Sequence, residues 1–85
     1  MVTVGDLIED ALFEVHHLAN LTGSSHADRA RDYLLRAQSA TEEEKKREYL
    51  VEACQRLEVA MDHNPGFSES FKMARDKALE AEDSI

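Results

Sequence analysis

The sequence contains few of the residues that interrupt helices or cross-link a chain. Its 85 residues include one proline, three glycines, one cysteine and no tryptophan. A single cysteine leaves no pair for a disulfide framework, and Cys54 lies on an apolar stripe, where it is expected to pack as a small hydrophobe. Because strong helix formers dominate and β-branched residues never form a run, we predict an all-α protein without a sheet.

Long apolar runs and an excess of basic residues are also missing. No apolar run reaches the roughly 18 residues that suggest a membrane span, and no signal peptide is recognisable, so we expect a cytoplasmic protein that contacts no membrane. The formal net charge of −8 argues against direct nucleic-acid binding, which needs a basic face. The first 24 residues contain no lysine or arginine but carry Asp6, Glu9, Asp10 and Glu14. This end is expected to attract a basic partner.

The first of four amphipathic segments begins at Thr3. Thr3 and Asp6 have capping-box spacing, and Gly23 offers a C-terminal stop. Residues at helical spacing form one apolar stripe: Val4, Leu7, Ile8, Ala11, Val15, Leu18 and Ala19. Phe13 points nearly opposite this stripe, so we expect it to be exposed and free to contact another molecule.

A second helix is predicted to start at Ser24 or Ser25. Its inner face is Ala27, Ala30, Tyr33, Leu34, Ala37 and Ala40. Thr41 and Glu44 repeat the capping-box spacing, which predicts a break near residue 40 and a new helix after it. No glycine or proline enforces that break, so one continuous helix over residues 25–63 is the alternative.

The third segment, residues 42–65, carries the broadest stripe and is predicted to be the central helix. Its apolar residues are Tyr49, Leu50, Ala53, Cys54, Leu57, Ala60 and Met61. Val51 and Val59 add a thin second seam, which indicates a neighbour on that side or a binding edge. Pro65 ends the helix. A fourth helix follows with Phe67, Phe71, Ala74, Ala78 and Ala81 inward, and residues 80–85 are expected to fray.

Ala53, Leu57, Ala60 and Pro65 stand at offsets of 0, 4, 7 and 12. This pattern, within residues 30–71, resembles the second half of a tetratricopeptide repeat, where small and large residues alternate so that two antiparallel helices pack tightly. The resemblance implies a scaffold that binds protein segments. Ala30, Leu34 and Ala37 repeat the pattern without a proline, so a helical hairpin of independent origin is the alternative. We predict one domain over residues 1–85, with four helices as two antiparallel hairpins, either tetratricopeptide-like or a four-helix bundle.

Two pairs of polar residues resemble parts of catalytic or metal sites. Glu14 and His17 have the Glu-x-x-His spacing of di-iron bundles, but no second such motif accompanies them. Arg56 and His63 resemble the Arg-x(4–6)-His motif of helical HEPN ribonucleases, except that an apolar Leu57 follows the arginine. We expect an exposed polar edge at the first pair and a helix-closing role for His63. No enzyme activity, metal or cofactor is predicted. His16 and His26 have no matching motif partner in the sequence and are expected at the surface.

The prediction for function is a small acidic interaction module: an adaptor, a chaperone-like protein or a regulator. Its partner is a protein of unknown identity, and a homodimer is left open because a chain of this length has a marginal core. Apolar residues off the inner faces are the candidate contacts: Phe13, Leu35, Val51, Val59, Met73 and Leu79. Asp6 and Asp10 are expected to steer a basic partner. The alternatives are an acidic inhibitor that occupies the nucleic-acid site of an enzyme or defence complex and, after it, a HEPN-like ribonuclease.

Overall fold

The structure is a computed structural model that describes residues 2–85. Its elements are α1 (Val4–Thr22), α2 (Ser25–Ser39), α3 (Glu43–His63), a 3-10 helix (Pro65–Phe67) and α4 (Ser68–Asp83). No strand forms within residues 2–85, and the all-α prediction is confirmed. None of the helices in this range has both the length and the apolar character needed to cross a membrane.

The four helices close into a ring around one core. Each helix packs against two neighbours, in the order α1, α2, α3, α4 and back to α1, and α3 shares the most extensive interfaces. The diagonal pairs do not pack extensively against each other. Short connections make successive helices antiparallel. The chain is therefore a bundle of four helices that form two antiparallel hairpins.

Small side chains allow these helices to pack closely. The core contains 19 buried apolar residues, of which ten are alanines: Ala11, Ala19, Ala27, Ala30, Ala37, Ala53, Ala60, Ala74, Ala78 and Ala81. Phe71 on α4 is the largest fully buried side chain. Among the described residues no polar or charged residue is fully buried. The core thus depends on close contacts between alanines around a few large side chains.

Side-chain caps fix the ends of the first hairpin, as the sequence predicts. The Thr3 hydroxyl accepts a bond from the Asp6 amide at 3.1 Å, and the Asp6 carboxylate accepts one from the Thr3 amide at 3.2 Å. This completes the capping box of α1. Gly23 follows the helix in the left-handed conformation, with φ of 65°. The Ser24 hydroxyl then accepts from the Ala27 amide at 3.4 Å and caps α2.

The turn at residue 40 separates α2 from α3, so the continuous helix is excluded. Ala40 is extended, with φ of −69° and ψ of 133°. The predicted cap at this turn is wrong: Glu42 is the N-cap residue and makes no side-chain cap bond, while Thr41 lies one residue before it. Because this turn is exposed, water can satisfy the first amides of α3.

Two predictions near the C-terminal helix are also wrong. Phe67 is 38% exposed rather than inward, because it ends the 3-10 turn, whose period differs from that of α4. The prediction that residues 80–85 fray is also wrong. The last turn of α4 continues to Asp83, Ile85 packs against the core, and the Arg47 guanidinium donates to the Ile85 carbonyl at 2.7 Å.

Gly23→Ala is expected to lower the free energy of unfolding by about 1–2 kcal/mol, because an alanine Cβ is strained at positive φ. Gly66→Ala is the matched control: its φ is not positive and nothing lies within 4 Å of an added Cβ. That variant is expected to be neutral or stabilised by up to about 1 kcal/mol. Urea titrations followed by circular dichroism measure both, and equal losses in the two variants would contradict the prediction.

Candidate binding groove between the first two helices

The most exposed aromatic side chain of the described residues stands at a groove between α1 and α2. Phe13 is 77% exposed and Leu35 is 45% exposed, and both line this groove of about 760 Å³. We call it the α1–α2 groove. Its lining residues are Glu9, Leu12, Phe13, His16, His17, Asn20, Arg31, Asp32 and Leu35. Two apolar residues predicted from sequence to contact a partner therefore lie on one surface.

Helical periodicity explains why these residues come together. Residues three and four apart lie on one face of a helix, which aligns positions 9, 12, 13, 16 and 20 of α1. Positions 31, 32 and 35 align in the same way on α2. Leu12 is half-buried and packs against the core, so the base of the groove is tied to the bundle while Phe13 and Leu35 stay accessible.

The charge of the α1–α2 groove is mainly negative. Glu9 and Asp32 contribute carboxylates, and Arg31 is its only arginine or lysine. The Arg31 guanidinium lies 3.3 Å from the Asp28 carboxylate, which offsets its charge. Because these groups are partly exposed, the pair contributes little stability. Asp32 also borders a neighbouring depression on α2 that Arg29 and Arg36 line.

A second, smaller cleft of about 180 Å³ lies on the other side of Phe13, between α1 and α4. Asp10, Phe13, Glu14, Met73 and Lys77 line it. Met73 is 59% exposed, so Phe13 borders accessible apolar surface on both sides. Three other residues predicted to contact a partner therefore lie next to Phe13. Leu35 on α2 lies on one side, and Asp10 on α1 and Met73 on α4 lie on the other.

The remaining predicted contacts lie elsewhere. Val51 and Val59 are half-buried on α3, and Val51 lines a separate depression with Tyr33 and Tyr49. Leu79 is exposed on α4 and lines neither the α1–α2 groove nor the smaller cleft. Asp6 is exposed on the first turn of α1, where its carboxylate already takes part in the cap. These four residues do not join the surface around Phe13.

Sequence reasoning missed the rest of the groove lining, including Leu12, His16, Arg31 and Asp32. The spacing of these residues along each helix can be read from the sequence. What was missing is the alignment of α1 with α2, which brings positions 9–20 opposite positions 31–35. His17, considered above with Glu14 as a metal motif, lies in this groove. Within residues 2–85, no three histidine, cysteine, aspartate or glutamate side chains are placed to hold one metal ion.

His26 and His63 form a pair that the sequence did not predict. Their ring centroids are 5.2 Å apart with a tilt of 31°. Of the two histidines expected at the surface, His16 is exposed and His26 is half-buried. The cause of the pairing is the antiparallel packing of α2 and α3, which brings the start of one beside the end of the other. The His63 ring also donates to the Val59 carbonyl at 2.9 Å and closes the last turn of α3, as predicted.

Cys54 is buried in the core, where desolvation raises the pKa of its thiol from 9.0 to about 12, with the Glu82 and Glu58 carboxylates adding to the effect. A raised pKa leaves almost no thiolate at pH 8, and the thiolate is the reactive form. Iodoacetamide should therefore alkylate the folded chain more than about 100-fold more slowly than the chain in guanidinium. Mass spectrometry over time measures this ratio, and equal rates would contradict the buried, protonated thiol.

The α1–α2 groove combines an apolar base and wall with carboxylates beside them. Leu12, Phe13 and Leu35 offer surface to an apolar side chain, while Glu9 and Asp32 attract a cation next to it. These side chains are suited to holding a ligand by contact and charge. Comparisons of the chain with protein-family models, with curated proteins and with solved structures found no match.

Proposed function

We propose that this chain is a protein-interaction module, acting as an adaptor, a chaperone-like protein or a regulator, that holds part of a partner protein in the α1–α2 groove. The observation that carries the proposal is Phe13, a large aromatic side chain that is 77% exposed beside Leu35. Exposed apolar surface of this kind often marks an interaction site, and aromatic residues are frequent among the residues that dominate binding energy.

The size and composition of the core support the same proposal. More than half of the core residues are alanines, which bury little apolar area each. A domain of 85 residues with such a core is marginal on its own. A partner that binds only the folded chain would stabilise it by mass action, in addition to any regulatory effect.

Phe13→Ala is expected to weaken binding of the natural partner by about tenfold or more, because it removes the most exposed aromatic wall of the groove. The partner is first captured on the immobilised chain and identified by mass spectrometry, and its dissociation constant is then measured by calorimetry. Leu79→Ala is the control, since Leu79 is an apolar residue, 36% exposed, that lines neither the groove nor the smaller cleft. It should bind as the natural chain does.

The proposal fails if Phe13→Ala, like the Leu79→Ala control, captures every protein as well as the natural chain does and the natural chain sediments as a monomer. Misfolding would not explain a loss of binding, because Phe13 contributes little to the core. A circular-dichroism melting curve of each variant checks this directly.

The second candidate function is the acidic inhibitor of a nucleic-acid-binding enzyme or complex. It is favoured by the exposed carboxylates of Asp6, Glu9 and Asp10 on α1, a helix without lysine or arginine. Binding of this kind would fall steeply with salt, whereas an apolar groove binder is less sensitive. An Asp10→Lys variant that loses the captured partner while Phe13→Ala retains it would favour the inhibitor.

A further inference from the structure

We propose that the occupant of the α1–α2 groove is an amphipathic helix of the partner whose apolar stripe is flanked by lysine or arginine residues. This inference rests on the proposed function and specifies the partner's chemistry. Three features of the groove support it: the secondary structure of its walls, its length and its charge.

The walls of the groove favour a helical ligand over an extended one. Both walls are helices, whose backbone amides and carbonyls are bonded within each helix, so an extended peptide would find no sheet edge to pair with. A helical ligand pairs its own backbone amides and carbonyls, so it needs only side-chain contacts with the groove. Helices that bind in grooves do so through apolar residues spaced at i, i+3 or i+4, and i+7.

The length of the groove matches a few turns of such a helix. Its lining on α1 runs from Glu9 to Asn20, which is about 16 Å at 1.5 Å per residue. That distance corresponds to roughly three turns, which present an apolar residue on each turn. Phe13 on α1 and Leu35 on α2 provide apolar surface on the two opposite walls.

The charge around the groove favours a ligand helix with lysine or arginine beside its apolar stripe. Glu9 and Asp32 line the groove, and its only arginine is paired with Asp28. Lys77 shares the smaller cleft with Asp10 and Glu14, and Arg29 and Arg36 share a neighbouring depression with Asp32. Glu9 forms no ion pair within residues 2–85, so the groove itself presents net negative charge. Lysine or arginine beside the apolar stripe would meet these carboxylates. Glutamate at the same positions would be repelled, which lowers both the rate of association and the affinity.

A second copy of this chain fits the groove less well. The whole chain has a formal net charge of −8, so two copies repel each other. Suppose that the α1–α2 groove of one copy packed against the same groove of another copy. Helix α1 would then offer the facing carboxylates no lysine or arginine, and the groove face of α2 would offer only Arg31, which is already paired with Asp28. Neither wall is the basic amphipathic helix that the charges require.

Two synthetic helical peptides of about 16 residues test the inference. Both carry the same leucine stripe and an N-terminal fluorophore, and they differ only in having lysine or glutamate beside the stripe. Fluorescence anisotropy measures their binding to the intact chain. The lysine peptide is expected to bind at least about tenfold more tightly than the glutamate peptide at low salt. Raising the salt from about 0.1 M to about 1 M should reduce this preference.

Variants of the chain locate the peptide. Phe13→Ala should weaken the lysine peptide about tenfold or more, while Leu79→Ala leaves it unchanged. A Glu9→Gln, Asp32→Asn variant keeps the side-chain shapes and removes both charges. It should reduce the preference for the lysine peptide without abolishing binding, because the apolar contacts remain.

Each other outcome overturns the inference and is distinct from failure of the proposed function. Equal affinity for the two peptides would show that the groove does not select charge. Peptide affinity that is unchanged in Phe13→Ala would show that the peptide binds elsewhere. A dimer that forms in sedimentation experiments and is lost in Phe13→Ala would show that a second copy occupies the groove. If neither peptide binds but capture of the natural partner still depends on Phe13, the interaction module stands and the basic helix is rejected.

Discussion

Replacing Phe71 with alanine is expected to lower the free energy of unfolding by about 3–5 kcal/mol, because it deletes the largest fully buried side chain of the bundle. The core has little capacity to fill the cavity that results. More than half of its residues are alanines, which have no rotamers through which to expand. For a domain of this size such a loss corresponds to a melting temperature lower by at least about 12 °C.

Phe13→Ala is the matched control, because it removes the same atoms from a side chain that is 77% exposed rather than 0% exposed. Its free energy of unfolding is expected to change by less than about 0.5 kcal/mol. Denaturant titrations of both variants give the comparison. If Phe71→Ala leaves no folded protein to titrate, Phe71→Leu is the milder variant, with an expected loss near 1 kcal/mol. Similar losses at positions 71 and 13 would contradict the described core.

Phe71 and Phe67 show how far periodicity predicts burial. Helical periodicity predicts both residues on the inner face of a fourth helix, because they are four residues apart. Phe71 is buried as predicted, but Phe67 lies in the 3-10 turn that precedes α4, so the α-helical period does not apply to it. Periodicity predicts the buried face within an element, and the prediction is lost where the type of helix changes.

The candidate groove was only partly predictable for a different reason. The sequence predicts that Phe13 is exposed because it lies opposite the apolar stripe of α1, and this prediction is confirmed. Its neighbours in the groove come from α2, and the sequence does not say which turn of α2 lies beside which turn of α1. The contact of His26 with His63 and the bond from Arg47 to Ile85 were missed in the same way, since each joins residues far apart in the chain.

The resemblance to a tetratricopeptide repeat stays a prediction. Ala53, Leu57 and Ala60 are fully buried on α3, and Pro65 begins the 3-10 turn after it. Close packing of any two antiparallel helices favours the same small, large, small order. Here α4 also packs against α1 and closes a ring, an arrangement that is consistent with a bundle of independent origin. What these positions establish is a close approach of α3 to its two neighbours.

That close approach leads to the other large effect on stability, the variant Ala53→Leu. Ala53 is fully buried on α3, the helix with the most extensive interfaces to its neighbours. Three added carbon atoms have no space in a close-packed core, so α3 must move away from a neighbouring helix or adopt strained rotamers. The free energy of unfolding is expected to fall by about 1–3 kcal/mol, although leucine is an excellent helix former.

Gln55→Leu provides the control for this variant, because it places the same side chain two residues later on the exposed side of α3. Its helix propensity is nearly unchanged and no neighbour has to move, so the free energy of unfolding should stay within about 0.5 kcal/mol of the natural value. Urea titrations of both variants separate crowding between helices from any effect of leucine on the helix itself. If Ala53→Leu were as stable as Gln55→Leu, position 53 would have room for a large side chain, and the small residues of α3 would not be what sets the spacing of the bundle.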